Sequence, residues 1–357
     1  MSPVLASVDE ATCRPDLSQT FDPAPGFLNA ATMGLPPRRT QEALSRALEE
    51  WASAQASPAR YDISVTAARD LYARLVQVEV DDVAVGSQAS VTAGTVAASL
   101  PDGANVLCVD GDFTSMVFPF LAQADRGVTV RHVPLEHLAD AVDRTTDLVA
   151  FSMAQSSDGR IADGAAVAAA AREHGALTFA DLTQSAGWLP VSAGDYDVTV
   201  CSAYKWLCCP RGTAFTTVTQ GARDRLRPVN AGWYAGESIW DSCYGPAMTL
   251  ATSARRFDVS PAWLCYVGAA PSLELMLSLA PDQVGHGARL ADALRARLGI
   301  KPEGRPVLSI DDPDGVRQAK LADAGCTVAA RAGKVRIAFH LWNTEDDVDL
   351  AASALTG

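Results

Sequence analysis

FADLTQSAGW (179–188) and, shortly after it, VTVCSAYKWLCCPRG (198–212) decide how this chain is read. Each begins as a short apolar run and ends in a polar side chain: Asp181 closes the first, and Ser202, followed by Lys205, closes the second. Apolar runs of this length, continuous rather than alternating, read as strands buried on both faces of a mostly parallel sheet. Gln184 stands one turn beyond the aspartate. An unpaired ammonium between Tyr204 and Trp206 would be costly to bury. Lys205 therefore calls for a partner that removes or uses its charge.

Working outward, the same pattern recurs. DVAVG (82–86), NVLCVD (105–110), GVTVRHV (127–133) and DLVAFSM (147–153) precede ALTFA (176–180) and DVTVC (197–201), mostly with helix-length segments between them. GTAFTTV (212–218) follows DVTVC so closely that an antiparallel placement is expected. The sum is an α/β domain of about seven strands. Upstream, Leu44, Ala47, Leu48 and Trp51, then Val65, Ala68, Leu71, Tyr72 and Leu75, recur at helical spacing and predict two amphipathic helices. Downstream, a helix carrying Leu264, Val267, Leu273 and Leu277 leads to HGARLADALRARLG (286–299), PVLSID (306–311), CTVAAR (326–331), KVRIAF (334–339) and EDDVDLAASAL (345–355). These predict a small α+β unit. The expected organisation is an arm over 1–26, a large domain over 27–262 and a small domain over 263–357.

Composition narrows the function classes. Of 357 residues, 48% are hydrophobic and 20% charged, as in a globular enzyme. The net charge of −13 argues against wrapping nucleic acid or an anionic membrane, either of which favours a basic face. The N-terminus lacks a basic segment followed by an apolar core, and no apolar run is long enough to span a bilayer. A cytoplasmic protein is expected. The eight cysteines show no paired spacing suited to zinc, so no metal site is expected. Cys108, Cys201 and Cys326 lie in strand-like runs and read as small buried hydrophobes.

Ligands of such sheets gather beyond the carboxyl ends of the strands. A carboxylate and an amine delivered there are what pyridoxal phosphate (PLP) chemistry needs: the lysine forms the imine, and the acid keeps the pyridine nitrogen protonated. GSQASVTAGT (86–95) starts a helix at another such end, where backbone N–H groups suit a phosphate, although small residues also begin ordinary helices. It matches neither a Walker A nor a GxGxxG pattern, which counts against nucleotides. The loops NAGWYAGESIW (230–240) and ARRFDVSPAW (254–263) hold more Gly, Trp and Arg than a linker needs.

With these segments in place the chain resembles the class V aminotransferase family of fold type I PLP enzymes, which includes cysteine desulfurases, kynureninases and isopenicillin N epimerase-like proteins. The resemblance runs over roughly residues 27–350 and rests on four blocks in order: DxxQ (Asp181, Gln184), SxYK (Ser202 to Lys205), ARRFD, and VRIAFHLWNTEDDV (335–348). It implies that Lys205 holds PLP and moves the substrate α-proton, that Asp181 pairs with the pyridine nitrogen, and that Gln184 touches the phenolic oxygen. It further implies that Phe113 stacks on the ring, and that Ser90, Ser202 and Tyr204 bind the phosphate, with Ser260 reaching the site of a partner subunit and Trp233 close to the cofactor. Arg336 would clamp the substrate carboxylate, a bidentate task that lysine cannot take over; Asn29 and Gln155 would also face the substrate. A homodimer with sites at the interface is implied.

The family runs several chemistries on one apparatus. Cysteine desulfurases carry a mobile-loop cysteine shortly before the C-terminal arginine block; here Cys326 is followed by TVAAR and reads as part of a strand, against persulfide chemistry. SPAW departs from the GTP pattern of kynureninases. The expected activity is a lyase cleaving the side chain of an α-amino acid, as in β-elimination or C–S cleavage. An aminotransferase is the alternative, followed by a desulfurase, an epimerase or a non-catalytic binding protein.

Overall fold

The computed structural model describes residues 14–357; residues 1–13, with Cys13 and half of the expected arm, lie outside the described residues. The chain first forms a single helical turn, α1 (Leu17–Thr20), then the two predicted amphipathic helices α2 (Arg38–Ala52) and α3 (Pro58–Leu75). Proline at the first position of α3 suits a helix start, because its missing N–H has no intrahelical partner there. Val65, Ala68 and Tyr72 of α3 are buried as their spacing predicts, whereas Leu48 and Trp51 of α2 are exposed. Helix α2 lies on the outside, and only its Ala47 and Thr40 edge is covered.

All seven expected strands form one sheet: β1 (Val83–Gly86), β2 (Asn105–Val109), β3 (Thr129–Val133), β4 (Leu148–Ser152), β5 (Leu177–Asp181), β6 (Val198–Ser202) and β7 (Ala214–Val218). Their order is β1-β7-β6-β5-β4-β2-β3. Strands β3, β2, β4, β5 and β6 run parallel, and β7 is antiparallel to both β6 and β1. The short link after β6 permits that reversal and no crossover. Every residue of β4, β5 and β6 is buried, as continuous apolar strands require. Helices α4 (Ala89–Ser99), α5 (Thr114–Leu121), α6 (Gly164–His174) and α7 (Gln220–Arg223) connect or follow the strands. Asp163 caps α6 by accepting from the Ala166 N–H, and Gly175 ends it in the left-handed conformation.

Helix α8 (Trp263–Ser278) packs against α2 and α3, burying Tyr266, Ala269, Leu273 and Met276 in the core of the large sheet. After α9 (Pro281–Val284) and α10 (His286–Arg297), a second core forms around β8 (Val307–Asp311), α11 (Val316–Asp323), β9 (Ala329–Arg331), β10 (Lys334–Ala338) and α12 (Glu345–Thr356). The small sheet is antiparallel, in the order β8-β10-β9. The N-terminal segment also reaches it: Phe27 bridges Thr327 and Asn29 bridges Ala338, so residues 27–34 run from the small sheet to the mouth of the large one. This is the expected α/β architecture, a mostly parallel seven-stranded sheet beside a small α+β unit, and it matches fold type I.

Candidate active site

Strands β5 and β6 are neighbours in register, Asp181 opposite Val200, so their carboxyl ends stand together. Asp181 ends one; three residues past the other, in the turn that reverses the chain towards β7, stands Lys205. The lysine is only 5% exposed, and its Nζ lies 5.5 Å from the Phe113 ring centroid and 5.6 Å from that of Tyr204. Burial pushes its ammonium down to about 8, resisted by Asp181 and reinforced by Arg336 and Arg331. For Asp181, burial pushes the carboxyl up to about 6, against the Thr183 backbone N–H that it accepts at 2.8 Å and the charge of Lys205. An ammonium that gives up its proton this much more readily than an ordinary lysine supplies a nucleophilic amine and a base nearer ordinary pH.

Both groups line a cavity of about 300 Å³, whose walls also include Ser87, Gln88, Ala89, Phe113, Gln184, Ser202 and Tyr204. At one end it meets the start of α4. There the Ser202 hydroxyl accepts from the Ala89 N–H at 3.0 Å, so β6 and the helix start are fixed to each other. Phe113 is 45% exposed despite its size and forms part of the wall. Its position is set by Asp112, whose carboxylate accepts the Phe113 N–H at 2.7 Å and the Ser152 N–H and hydroxyl at 2.8 and 2.6 Å.

Arg336 enters from the small sheet. It is 1% exposed, and among the described residues its guanidinium donates to neutral oxygens only: Thr32 Oγ1 at 2.7 Å, the Ser156 carbonyl, and Ser156 Oγ at 3.4 Å. Its Nε has no partner among the described residues. Burial and the nearby Arg331 push it down to about 10. Gln184 bonds into the same network. Its Nε2 donates to Ala31 O at 2.9 Å and to Ser156 Oγ at 3.2 Å, and its Oε1 accepts from the Trp206 indole at 2.8 Å.

The structure therefore brings Phe113, Asp181, Gln184, Ser202, Tyr204 and Lys205 to one cavity, with Arg336 joined to its wall through Ser156. Asn29 sits beside this network on the segment that bridges Ala338, and its buried Oδ1 is unpartnered. Gln155 is buried, its amide donating to Ser152 O at 3.2 Å. Ser90 is one residue into α4, behind the lining Ala89. Trp233 packs on Tyr234 and Trp240 in its own loop, and Ser260 is exposed; neither lines this chain's cavity. Asp112, Thr183, Ser156 and Arg211 are wall or support residues that the sequence patterns did not single out. For Asp112 a signal existed, since it directly precedes Phe113 beyond a strand end. No local signal marks Ser156.

These residues fit PLP. A buried amine flanked by aromatic rings, a carboxylate at the adjacent strand end and an open helix start converge on a cavity of suitable size. Comparison with known proteins agrees. The family model "Aminotransferase class-V" matches residues 27–305. The chain is 28% identical to the uncharacterized aminotransferase YcbU of Bacillus subtilis, over 79% of this chain and 80% of that one. It is 30% identical to a kynureninase of Deinococcus radiodurans, over 71% of this chain and 67% of that one. Among solved structures, the cystine C-S lyase C-DES in complex with its product cysteine persulfide superposes with a TM-score of 0.83 at 19% identity, covering 93% of this chain and 97% of that one. The chain is an enzyme of the class V aminotransferase family, and its cofactor is pyridoxal phosphate.

Proposed function

We propose that this enzyme is a lyase that cleaves the side chain of an α-amino acid. The carrying observation is Arg336: a guanidinium almost wholly buried and, among the described residues, bonded only to neutral oxygens, close to a buried amine. A substrate carboxylate is the partner that such a group lacks. With PLP held by Lys205, the cofactor supplies an electron sink for charge that develops at the substrate α-carbon. Asp181 holds the proton on the pyridine nitrogen, Ser202 and the start of α4 take the phosphate, and Phe113 covers the ring. Lys205, its basicity lowered by burial, would take the α-proton and pass a proton to the departing sulfur.

For a conjugated cysteine the balance is simple. The α-proton leaves, the C–S bond breaks, the sulfur departs as a thiol, and water releases pyruvate and ammonium. No keto acid is consumed. No cysteine among the described residues lines the cavity, and burial pushes the thiols of Cys201, Cys208 and Cys209 up, away from the thiolate form. A desulfurase, in which a protein thiolate accepts sulfur, stays an alternative that would draw its thiolate from beyond these three cysteines. Similarity to YcbU, named as an aminotransferase, supports transamination as the second reading.

Incubating the purified holoenzyme with S-conjugated cysteines tests both. Pyruvate and thiol released without an added keto acid support the lyase; strict dependence on the keto acid replaces it with the aminotransferase. Lys205→Ala is expected to abolish turnover and the absorption near ~420 nm of lysine-bound cofactor. If that band and turnover survive the substitution, the assignment of Lys205 fails.

The reading extends to assembly and place. A homodimer is supported by the exposed Ser260 and Ala262 of the otherwise largely covered ARRFDVSPAW segment, which would bring Ser260 to the partner's phosphate. The proposed division stays a large domain over 27–262 and a small one over 263–357, with α8 at the start of the latter packing back on α2 and α3. A cytoplasmic location is supported by cysteines that are unpaired throughout the described residues. No helix among those residues is long and apolar enough to cross a membrane.

A further inference from the structure

His340 lies two residues beyond β10 and four beyond Arg336, and the proposed chemistry gives it no duty. It is buried, and its ring is sandwiched between two indoles: Trp342 at 4.5 Å with the planes 1° apart, and Trp206 at 5.3 Å and 16°. Stacking alone could be done by phenylalanine. The polar contacts could not. Nδ1 accepts the Leu341 N–H at 2.7 Å, and Nε2 lies 3.0 Å from the Trp206 carbonyl oxygen, with Cys208 Sγ at 3.8 Å. An acceptor at Nδ1 leaves the single proton of a neutral imidazole on Nε2, which then donates to the Trp206 carbonyl. Burial favours the neutral ring and pushes its pKa down to about 4.

What this ring holds is the residue next to Lys205. Trp206 in turn donates its indole N–H to Gln184 Oε1 at 2.8 Å, which fixes which end of that amide is which. Gln184 Nε2 then reaches Ser156 Oγ at 3.2 Å, and the Ser156 carbonyl accepts from Arg336. One continuous path thus runs from the strand that carries Arg336, round through His340 and Trp206, to Gln184 on the cavity wall and back to Arg336.

We propose that His340, as the Nε2–H tautomer, is a positioning residue that sets Lys205 and Gln184 relative to the cofactor through Trp206. The proposal rests on the assignment of Lys205 as the cofactor lysine. It requires both the donor at Nε2 and the indole N–H, so it separates from simple core packing.

The test uses the holoenzyme and four forms: wild type, His340→Phe, His340→Gln and Trp206→Phe. His340→Phe keeps the stack and loses both polar bonds; kcat is expected to fall about tenfold with KM nearly unchanged, and the absorption maximum of bound cofactor to shift. His340→Gln, whose amide can donate in the place of Nε2, is expected to restore most of kcat and the wild-type spectrum. Trp206→Phe keeps a ring and loses the donor to Gln184, and its combination with His340→Phe should cost no more than the larger single change, because both break one path. Independently of turnover, 15N spectra of histidine-labelled protein should show the Nε2–H tautomer at neutral pH.

An Nδ1–H or doubly protonated ring in those spectra overturns the proposal. So does a cofactor-loaded His340→Phe with an unchanged spectrum and kcat, or strict additivity in the double variant. Should His340→Phe fail to fold, loss of kcat in His340→Gln equal to that of Trp206→Phe, with no spectral recovery, also counts against it. Absence of the lysine-bound band in the wild type would instead fault the assignment of Lys205, and the tautomer spectra would still decide the hydrogen bonds.

Discussion

Arg69, beneath β1, and Arg336, behind the cavity wall at Ser156, are both buried arginines, and they keep opposite company. Arg69 is bidentate to Asp258, at 3.0 and 2.7 Å, and donates to Val83 O at 2.6 Å; Asp258 also accepts the Val85 N–H at 2.8 Å. Burial works against the charge of Arg69, yet Asp258 more than offsets it and holds the guanidinium above its ordinary value. Arg336 has hydroxyl and carbonyl oxygens and, among the described residues, no carboxylate, and is held below its ordinary value. A buried charge with its counter-ion built in is a structural tie. One without it is a receptor for a ligand that brings the counter-ion.

Substituting each arginine by methionine should break the symmetry most sharply. Arg69→Met leaves buried Asp258 with Arg255, at 4.0 Å, as its remaining counter-charge, and is expected to cost about 3–5 kcal/mol of folding stability in denaturant titrations. Arg336→Met strands no carboxylate, so the cofactor-free protein should be at least as stable as the wild type, while kcat/KM falls by about 2–5 kcal/mol, or 30- to 5000-fold. Equal destabilisation by both substitutions would make Arg336 another structural tie and remove the argument for a substrate carboxylate.

Lys205 belongs with Arg336 in this comparison, and its titration gives the sign. Its folded pKa, pushed down to about 8, lies below the ordinary 10.5, so between these values the unfolded chain binds more protons and stability rises with pH. Below about 8 the full cost is present. Lys205→Met should therefore stabilise the cofactor-free protein at pH 7 by on the order of 3 kcal/mol, and the gain should fade as pH climbs from about 8 towards 10.5. A constant difference between the two proteins across that window would mean that the ammonium is not desolvated.

The sequence was most readable on the large sheet. Continuous apolar runs set all seven strands, and Asp181 and Lys205 could be placed because each stands at or just past a strand end, where local pattern and site geometry coincide. Arg336 was reached only through the resemblance of its block. The pairings that give it meaning, with Thr32 and Ser156, link segments far apart in sequence, and no periodicity encodes them. The same holds for His340, whose neighbours Trp206 and Trp342 are visible in sequence while its tautomer depends on the Leu341 and Trp206 backbone. Trp233 and Ser260 illustrate the converse: loops rich in Gly and Arg announce themselves, yet where they fold is set by contacts such as the Trp233 and Trp240 rings at 5.2 Å.

The smallest effects expected concern how the N-terminal segment joins the two regions, and glycines separate the roles. Gly34 donates its N–H to Tyr204 O at 2.9 Å, and a Cβ there would meet Lys205 O at 2.1 Å, a backbone atom that cannot step aside alone. Gly26, at φ +72°, anchors the same segment to the small sheet, where a Cβ would meet Gly325 O at 2.5 Å. Gly34→Ala and Gly26→Ala should each cost about 1–3 kcal/mol in stability, since both force backbone to shift. Only Gly34→Ala pushes on the lysine turn. It should also weaken cofactor retention and shift the bound-cofactor spectrum, whereas Gly26→Ala, once folded, should bind cofactor like the wild type. If both variants alter the spectrum alike, the segment transmits strain from the small sheet to Lys205, and the lysine turn is less independent of the small sheet than its own packing suggests.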